Sequence, residues 1–522
     1  MKEGIVVPHT HWDREWYQPF QGFRGRLVAM VDDLIEVLES DPRFEYFFFD
    51  GQTIVLQDYL EVRPDMRERL GDLIAEGRIG VGPWYDMPDE FLVSGEALVR
   101  NLMKGVRMAE SFGAEAVRCG YVCDLFGHDS QLPQILRGFD ISSAVIARGF
   151  ADNSTPAELH WQSPDGSSVL TAKLDAERSY SDFYFAIRWP FDDREYDEDE
   201  LVERMERHLG HKDGMQASPF YLLLEGVDHI EVEPKLPWIL DVLNRRFDDV
   251  AFRIGSLEEY FAALAGYESE NGALPTIRGE QIEPGRRGVN NQVLSNVWSS
   301  RFDLKRRNDA CQELIEQWAE PLSVYLAWDG LRAGVDAPAG EPSPAFEERA
   351  AAADPSTTSA GAYPAGFLNV AWEYLLKNHP HDSICGCSIG QVHRDMHYRF
   401  DQCELIASDV TDRALGVLAG SIDTRSLPGD RSVTLFNNSD LDEERVYIFE
   451  LAFGEDEPWR NIALYNARGE RIPYQRLSER REIKKVHRMR RLIQFWPLRY
   501  LKVAARVRVP ARGYTTLSYA IV

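Results

Sequence analysis

The chain opens on a short apolar run followed at once by metal-binding residue types, in the stretch 5–17, IVVPHTHWDREWY. The apolar run predicts a buried strand. Just beyond it, His11 and Asp13 lie two residues apart, so both side chains can point into one crevice at the carboxyl end of that strand. Imidazole and carboxylate together are typical ligands of a divalent metal ion. The stretch therefore predicts half of a metal site, and the missing ligands must come from elsewhere in the chain.

Length, charge and cysteine content narrow the class of protein. At 522 residues the chain exceeds what one hydrophobic core serves, so we expect two or three domains. A net charge of −27 opposes binding to nucleic acid or anionic lipid. No apolar run approaches the roughly 20 residues of a membrane helix, and the N-terminus leaves no room for a signal peptide. The six cysteines form neither a disulfide framework nor a paired zinc motif, so we expect them to be reduced. Together these features predict a soluble cytoplasmic protein. The sequence leaves its oligomeric state open, a homo-oligomer included.

Residues 1–270 alternate strand and helix patterns, which predicts an α/β domain with a mostly parallel sheet covered by helices. In such folds ligands bind at the carboxyl ends of the strands. Five predicted strands end at charged residues, namely Asp13, Asp89, Asp124, Arg148 and Asp228. Charged residues at the ends of five strands, all expected at one edge of the sheet, indicate a shared site.

Two further regions follow. Residues 271–425 carry about three long helical patterns, at about 302–326, 367–377 and 391–418, and predict a helical domain. Within it, 333–364 is rich in Ala, Gly, Pro and Ser and predicts a flexible surface insertion. Residues 426–522 alternate apolar and polar residues between turn signals, which predicts an antiparallel β domain.

Two more segments carry chemistry. Residues 121–129, YVCDLFGHD, place a carboxylate at a strand end beside an aromatic residue and a histidine. Residues 378–387, NHPHDSICGC, form a His/Asp cluster just past a helix end. Either segment alone has a structural explanation, with the histidine or aspartate capping a helix.

Taken with the opening stretch, these segments resemble glycoside hydrolase family 38, the class II α-mannosidases, in their bacterial form. Residues 11–16, HWDREW, are similar to the opening motif of the family, and 124–128, DLFGH, to its nucleophile motif. Residues 226–229, GVDH, resemble its acid/base segment, and 381–383, HDS, its later metal-ligand motif. Four motifs in the order of the family, spread over nearly all of residues 1–420, are a specific signal.

The resemblance implies a retaining, metal-dependent exo-α-mannosidase that hydrolyses carbohydrates with terminal α-mannose through a covalent glycosyl-enzyme intermediate. It implies a seven-stranded, barrel-like α/β catalytic domain, then the helical and β domains. It implies one divalent ion, Zn²⁺ with Co²⁺ as an alternative, held by His11, Asp13, Asp124 and His381. It also assigns Asp124 as nucleophile, Asp228 as acid/base, and Trp16, Phe126, Arg148, Asp382 and His229 as substrate-binding residues.

The chemistry agrees with these roles. A retaining glycosidase needs one carboxylate as nucleophile and a second as acid and then base. Asp124 held against a metal stays ionised, whereas Asp228 follows an apolar strand, where desolvation favours its protonated form. The 2- and 3-hydroxyls of mannose are cis and can chelate one cation, so the ion acts as a template for the sugar.

Several alternatives stay open. We expect His9 and His128 to lie behind the ligands rather than among them. His379 could replace His381 as ligand, and Cys385 with Cys387 is a weak metal pattern. His9 with His11 would also suit a deacetylase- or amidohydrolase-like metal hydrolase.

The chain stops at Val522, whereas the family usually continues through more β structure. A third hypothesis is therefore that the protein is a truncated relative that binds sugar without catalysis.

Overall fold

The computed structural model describes residues 2–285, 293–335, 363–457, 461–486 and 492–522. The described chain forms two compact units, one of residues 1–312 and 372–403, the other of 313–371 and 404–522. The predicted flexible insertion at 333–364 falls mostly outside the described residues. The predicted domain boundaries near 270 and 425 stay a prediction. In the described ranges, no helix has both the length and the apolar character that crossing a membrane requires.

The described residues of the first unit form ten strands. They are β1 (Lys2–Pro8), β2 (Phe47–Phe48), β3 (Ile79–Gly80), β4 (Gly120–Val122), β5 (Ser143–Ile146), β6 (Glu158–Gln162), β7 (Ser168–Lys173), β8 (Phe220–Glu225), β9 (Val250–Ile254) and β10 (Thr276–Arg278). They form three sheets with the orders β8-β1-β9, β10-β6-β7-β5-β4 and β2-β3. All pairs are parallel except β6 with β7. The predicted mostly parallel α/β fold is confirmed, and its described strands are grouped in three sheets.

Helices cover these sheets. Those of the first unit are Phe20–Ser40, Ile54–Leu60, Arg67–Ala75, Gly95–Glu110, Leu132–Gly138, Glu198–Lys212, Leu236–Arg246, Leu257–Asn271 and His381–Ile384. Three more, Phe302–Glu313, Ala365–Leu376 and Gly390–Ser421, run from one unit into the other. Local sequence explains the starts of two of them: the Ser94 side chain accepts a hydrogen bond from the Ala97 amide, and Ser256 forms a capping box with Glu259.

Strand β1 lies between two apolar cores. Val6 packs with Leu34 and Leu223 in one core, whereas Ile5 and Val7 belong to a second core with Val122. A strand buried on both faces must be apolar throughout, which is why residues 5–7 are an unbroken apolar run. Burial fixes the register of β1 and hence the position of the residues that follow Pro8.

The second unit contains the helical segment Glu320–Val335, preceded by a π-helical turn at Leu314–Ala319, and an antiparallel β region. Its strands are β11 (Arg431–Asn437), β12 (Glu443–Gly454), β13 (Ile462–Tyr465), β14 (Arg471–Ile472), β15 (Gln475–Val486), β16 (Gln494–Val509) and β17 (Gly513–Ile521). They form two sheets, β11-β17-β13-β14 and β12-β16-β15, around one apolar core.

Candidate active site

Four side chains from three separate parts of the first unit converge. His11 and Asp13 follow β1, Asp124 follows β4, and His381 begins a short helix. The Nε2 atom of His11 lies 3.2 Å from Asp13 Oδ1 and 3.9 Å from Asp124 Oδ2. The Nε2 atom of His381 lies 3.3 Å from Asp13 Oδ1 and 3.4 Å from Asp124 Oδ2. The structure thus brings together the four residues that the sequence predicts as ligands.

The donor set fits a tetrahedral metal ion. Zinc bonds to nitrogen and oxygen are about 2.0–2.1 Å long, so ligand atoms around a tetrahedral ion lie about 3.3 Å apart. Three of the four measured separations agree with this spacing, and the fourth is longer. Within the described residues, His11 Nε2, His381 Nε2 and Asp13 Oδ1 are buried and have no hydrogen-bond partner. Buried polar atoms are normally satisfied, so this convergence marks a place that a cation would occupy.

Asp50 orients His11. Its Oδ2 atom lies 2.7 Å from Nδ1 of His11, on the side of the ring away from the ligand cluster. Burial disfavours a charged His11, but the carboxylates of Asp50 and Asp13 outweigh it and raise the pKa of the imidazole well above its usual value. A carboxylate behind a ligating histidine fixes the ring and strengthens its bond to a metal. Asp50 lies just after β2, as other site residues lie just after strand ends. The sequence did not predict it as a site residue, because Asp-Gly also signals a turn.

Arg148 holds Asp124. Its Nη2 atom donates to Asp124 Oδ1 at 2.5 Å, while the other carboxylate oxygen faces the histidines. Burial would raise the pKa of Asp124, but the guanidinium of Arg148 and the nearby His381 imidazole together lower it below its usual range. The carboxylate therefore stays ionised, as a nucleophile requires.

Asp228 lies beside the cluster in a different environment. Its backbone forms a bridge with His11, and the hydroxyl of Tyr180 donates to its Oδ1 atom at 2.8 Å. Burial, together with the nearby Asp13 and Asp124 carboxylates, raises the pKa of Asp228 to about 6. Two carboxyl groups whose environments push their pKa values in opposite directions are the arrangement expected of a nucleophile and an acid.

Tyr180 is a site residue to which no sequence motif points. Its ring lies 5.0 Å from the His11 ring, centroid to centroid, so the residue reaches both the ligand cluster and Asp228. It lies in a 3-10 turn, Ser179–Ser181, beyond β7, where no periodic pattern points to a site.

The predicted sugar-binding residues lie around the cluster. Asp382 Oδ2 is 4.0 Å from His381 Nε2, and the Phe126 ring packs edge-on against the His381 ring. Trp16 is partly buried, and its carbonyl accepts a hydrogen bond from the Ile389 amide. Their roles toward a sugar stay predictions.

His229 and His9 are both buried near the cluster. His229 Nε2 accepts a hydrogen bond from the Asp13 amide at 3.2 Å, and its ring stacks on Phe23 with centroids 4.1 Å apart. This places His229 in support of the Asp13 backbone, and its predicted substrate contact stays a prediction. His9 packs edge-on against Tyr121 and Tyr180, with its ring nitrogens outside the ligand cluster.

Three other candidates lie apart from the ligand atoms. His128 Nδ1 pairs with Glu90 at 2.9 Å, and His379 Nε2 bonds to Asn308 at 2.8 Å. Burial lowers the pKa of His379 to about 3, so the ring is neutral and engaged elsewhere. Asp89 accepts from the amides of two following residues and so shapes its own loop.

A buried ion pair joins the two ends of the site. Glu15, two residues after Asp13, accepts a hydrogen bond from the Ser383 hydroxyl at 2.8 Å. It also pairs with the guanidinium of Arg399. Ser383 lies two residues after His381, so Glu15 ties the first ligand segment to the last.

Two family models match the chain. The N-terminal domain of glycosyl hydrolases family 38 matches residues 3–280, and the α-mannosidase middle domain matches residues 292–418. The chain belongs to glycosyl hydrolase family 38. The resemblance predicted from the four motifs is confirmed.

Individual proteins and a solved structure that resemble the chain agree with this family assignment. A Halalkalibacterium halodurans protein named "Putative mannosylglycerate hydrolase" is 33% identical over 81% of this chain and 43% of its own length. Mouse alpha-mannosidase 2C1 is 28% identical over 76% of this chain and 33% of its own length. An alpha-mannosidase structure from Enterococcus faecalis V583 superposes with a TM-score of 0.84 at 26% identity, covering all of this chain and 56% of that one. The matched part of the chain thus spans between one third and just over half of the length of these relatives.

Proposed function

We propose that this family 38 chain carries the catalytic site of a retaining, metal-dependent exo-α-mannosidase. The observation that carries the proposal is the convergence of His11, Asp13, Asp124 and His381, in which the unpartnered atoms His11 Nε2, Asp13 Oδ1 and His381 Nε2 lie beside Asp124 Oδ2. Residues 9–13 also argue against a deacetylase-like site, because His9 takes no part in the ligand cluster.

Each residue has a defined task in this mechanism. His11, Asp13, Asp124 and His381 would hold one divalent ion, which when bound supplies a positively charged template for the cis hydroxyls of mannose. Asp124, kept ionised, attacks the anomeric carbon and forms the glycosyl-enzyme. Asp228 gives its proton to the departing oxygen and afterwards takes one from the attacking water, so that it serves first as acid and then as base.

The substrate is proposed as a short α-mannoside. The printed name of the Halalkalibacterium relative makes mannosylglycerate one substrate to test. The net charge of −27 opposes an anionic substrate at long range, so a neutral alkyl α-mannoside is the matched comparison. Cytoplasmic location is part of the proposal, because the six cysteines, all of them among the described residues, form no disulfide.

Hydrolysis of an aryl α-mannoside tests the function. We expect chelation to abolish release of the aryl group, and Zn²⁺ or Co²⁺ to restore it. Proton NMR should show α-mannose as the first product, and β-mannose would refute the retaining mechanism. Asp124→Ala should lose several orders of magnitude in rate. Full inactivity of a metal-loaded, folded wild-type chain would leave the non-catalytic sugar-binding alternative standing.

A further inference from the structure

The loop after His381 gathers two sulfur atoms around one carboxylate. The Cys387 thiol donates to Asp382 Oδ1 at 3.1 Å, and the Cys387 amide donates to the Cys385 sulfur at 3.4 Å. The Cys385 thiol donates to the backbone carbonyl of Asp382 at 3.5 Å. Gly386 makes this turn with φ of +82°, and a Cβ there would lie 2.7 Å from that of Arg301. The tight turn thus requires glycine and holds the two cysteines against Asp382.

These three side chains form a donor set distinct from the four ligands described above. One ligand atom from each of Asp382, Cys385 and Cys387 lies within 4.8 Å of the other two. Zinc–sulfur bonds are about 2.3 Å and zinc–oxygen bonds about 2.0–2.2 Å, so sulfur and oxygen ligands of one tetrahedral ion lie about 3.5 Å apart. The measured separation of 3.1 Å between Cys387 Sγ and Asp382 Oδ1 needs only a small adjustment. Two thiolates select soft cations over Mg²⁺ or Ca²⁺.

We propose that Asp382, Cys385 and Cys387 form a second cation site, which takes a thiophilic divalent ion such as Cd²⁺, or Zn²⁺ in excess, and inhibits the enzyme. Cys387 is the one exposed residue among the six cysteines, so the ion has access from solvent. Asp382 and Cys385 are buried and complete the site from within.

Inhibition follows from the position of Asp382. Its other oxygen, Oδ2, lies 4.0 Å from His381 Nε2, so the same carboxylate borders the four-ligand cluster. A carboxylate that binds an ion at the cysteines is withdrawn from the sugar hydroxyls assigned to it. Inhibition should therefore be competitive with the mannoside. This part of the inference rests on the proposed function, whereas binding of the ion does not.

The test uses the full chain loaded with one equivalent of Zn²⁺ and then titrated with Cd²⁺. We expect an ultraviolet thiolate-to-metal charge-transfer band that saturates at one Cd²⁺ per chain. We also expect at least a tenfold loss of α-mannoside hydrolysis over the same range. Cys387→Ser and Cys385→Ser should lose the band and need at least ten times more Cd²⁺ for the same fractional inhibition, each relative to its own activity without Cd²⁺. Cys119→Ser, which removes a buried cysteine of the core, is the matched control and should titrate as the wild type does.

The outcomes separate the two proposals. Unchanged inhibition in both Cys385→Ser and Cys387→Ser, or no charge-transfer band in the wild type, would overturn the second site. A band without any mannoside hydrolysis before titration would support the site and refute the proposed function. Should the serine variants not fold, alkylation of exposed Cys387 in the wild-type protein must abolish the band, and a band that survives alkylation would refute the assignment.

Discussion

Replacing Glu15 by Gln should weaken metal binding more than its effect on stability alone explains. The Glu15 side chain is fully buried, and its carboxylate accepts hydrogen bonds from Ser383 and Arg399. Removing one partner of a buried ion pair costs about 3–5 kcal/mol, because the other charge is left uncompensated. Glu15→Gln leaves the buried guanidinium of Arg399 without a compensating negative charge.

We expect part of this free-energy cost to appear as weaker binding of the metal ion by its ligands. Asp13 Oδ1 and His381 Nε2 are 3.3 Å apart, and Glu15 bonds to Ser383, two residues from His381. Groups that orient metal ligands are worth 10- to 100-fold in metal affinity, which is about 1.4–2.7 kcal/mol. We expect Glu15→Gln to raise the dissociation constant for Zn²⁺ by that factor.

Asp58→Asn is the matched control. Asp58 is equally buried, and it forms an ion pair with Arg14 at 2.8 Å without touching residues 381–383. Both variants should lower the free energy of unfolding of the metal-free chain in urea by similar amounts. In competition with a chromogenic chelator, only Glu15→Gln should lose zinc affinity beyond about threefold. Equal zinc affinity in the two variants would show that Glu15 stabilises the fold without positioning the ligands.

Three further predictions concern carboxyl groups, two at the candidate site and one, Asp86, outside the ligand cluster. Asp50→Asn should weaken metal binding by about 10- to 100-fold in the same competition assay, because His11 loses the carboxylate behind its ring. Asp228→Asn should slow hydrolysis of an alkyl α-mannoside by about 10²–10⁴-fold but that of a dinitrophenyl α-mannoside far less, since only a poor leaving group needs the proton; equal losses would contradict the acid role. Asp86 is fully buried and accepts a hydrogen bond from the Asn101 side chain at 2.7 Å, and Asp86→Asn tests the pH dependence of stability. Burial raises the pKa of Asp86 to about 7, above an unfolded value near 3.9, so its contribution to stability is complete below about pH 4 and is lost as the pH rises to about 7. Relative to the wild type, this variant should therefore gain about 2–3 kcal/mol between pH 5 and pH 8 in urea unfolding, and a pH-independent difference would refute the shift.

Patterned apolar residues made most of the first unit predictable. Strand β1 and the helix Phe20–Ser40 follow directly from their apolar spacing. The predicted helix at about 302–326 exists, but its register changes at the π-helical turn Leu314–Ala319, which spacing alone does not reveal. Strands β6 and β7 were not predicted.

The candidate site was predicted where side chains follow strand ends, and missed where long-range contacts decide. The four ligand positions are those that the family resemblance implies, and they lie close in sequence to strand or helix ends. Asp50 was missed because its left-handed backbone, with φ of +52°, matches the turn that Asp-Gly predicts, which hides its contact with His11. Glu15 was missed as well, because its partners lie 368 and 384 residues further along the chain.

The first unit consists of two stretches of chain, residues 1–312 and residues 372–403, which are separated in sequence by part of the second unit. The predicted metal ligands are divided between these two stretches. His11, Asp13 and Asp124 come from the first stretch, and His381 comes from the second. Neither stretch alone holds the complete donor set, but they meet through contacts such as Lys104 with Glu373. Two separately expressed polypeptides, divided between residues 312 and 372, should therefore acquire the proposed metal binding only when they reassemble.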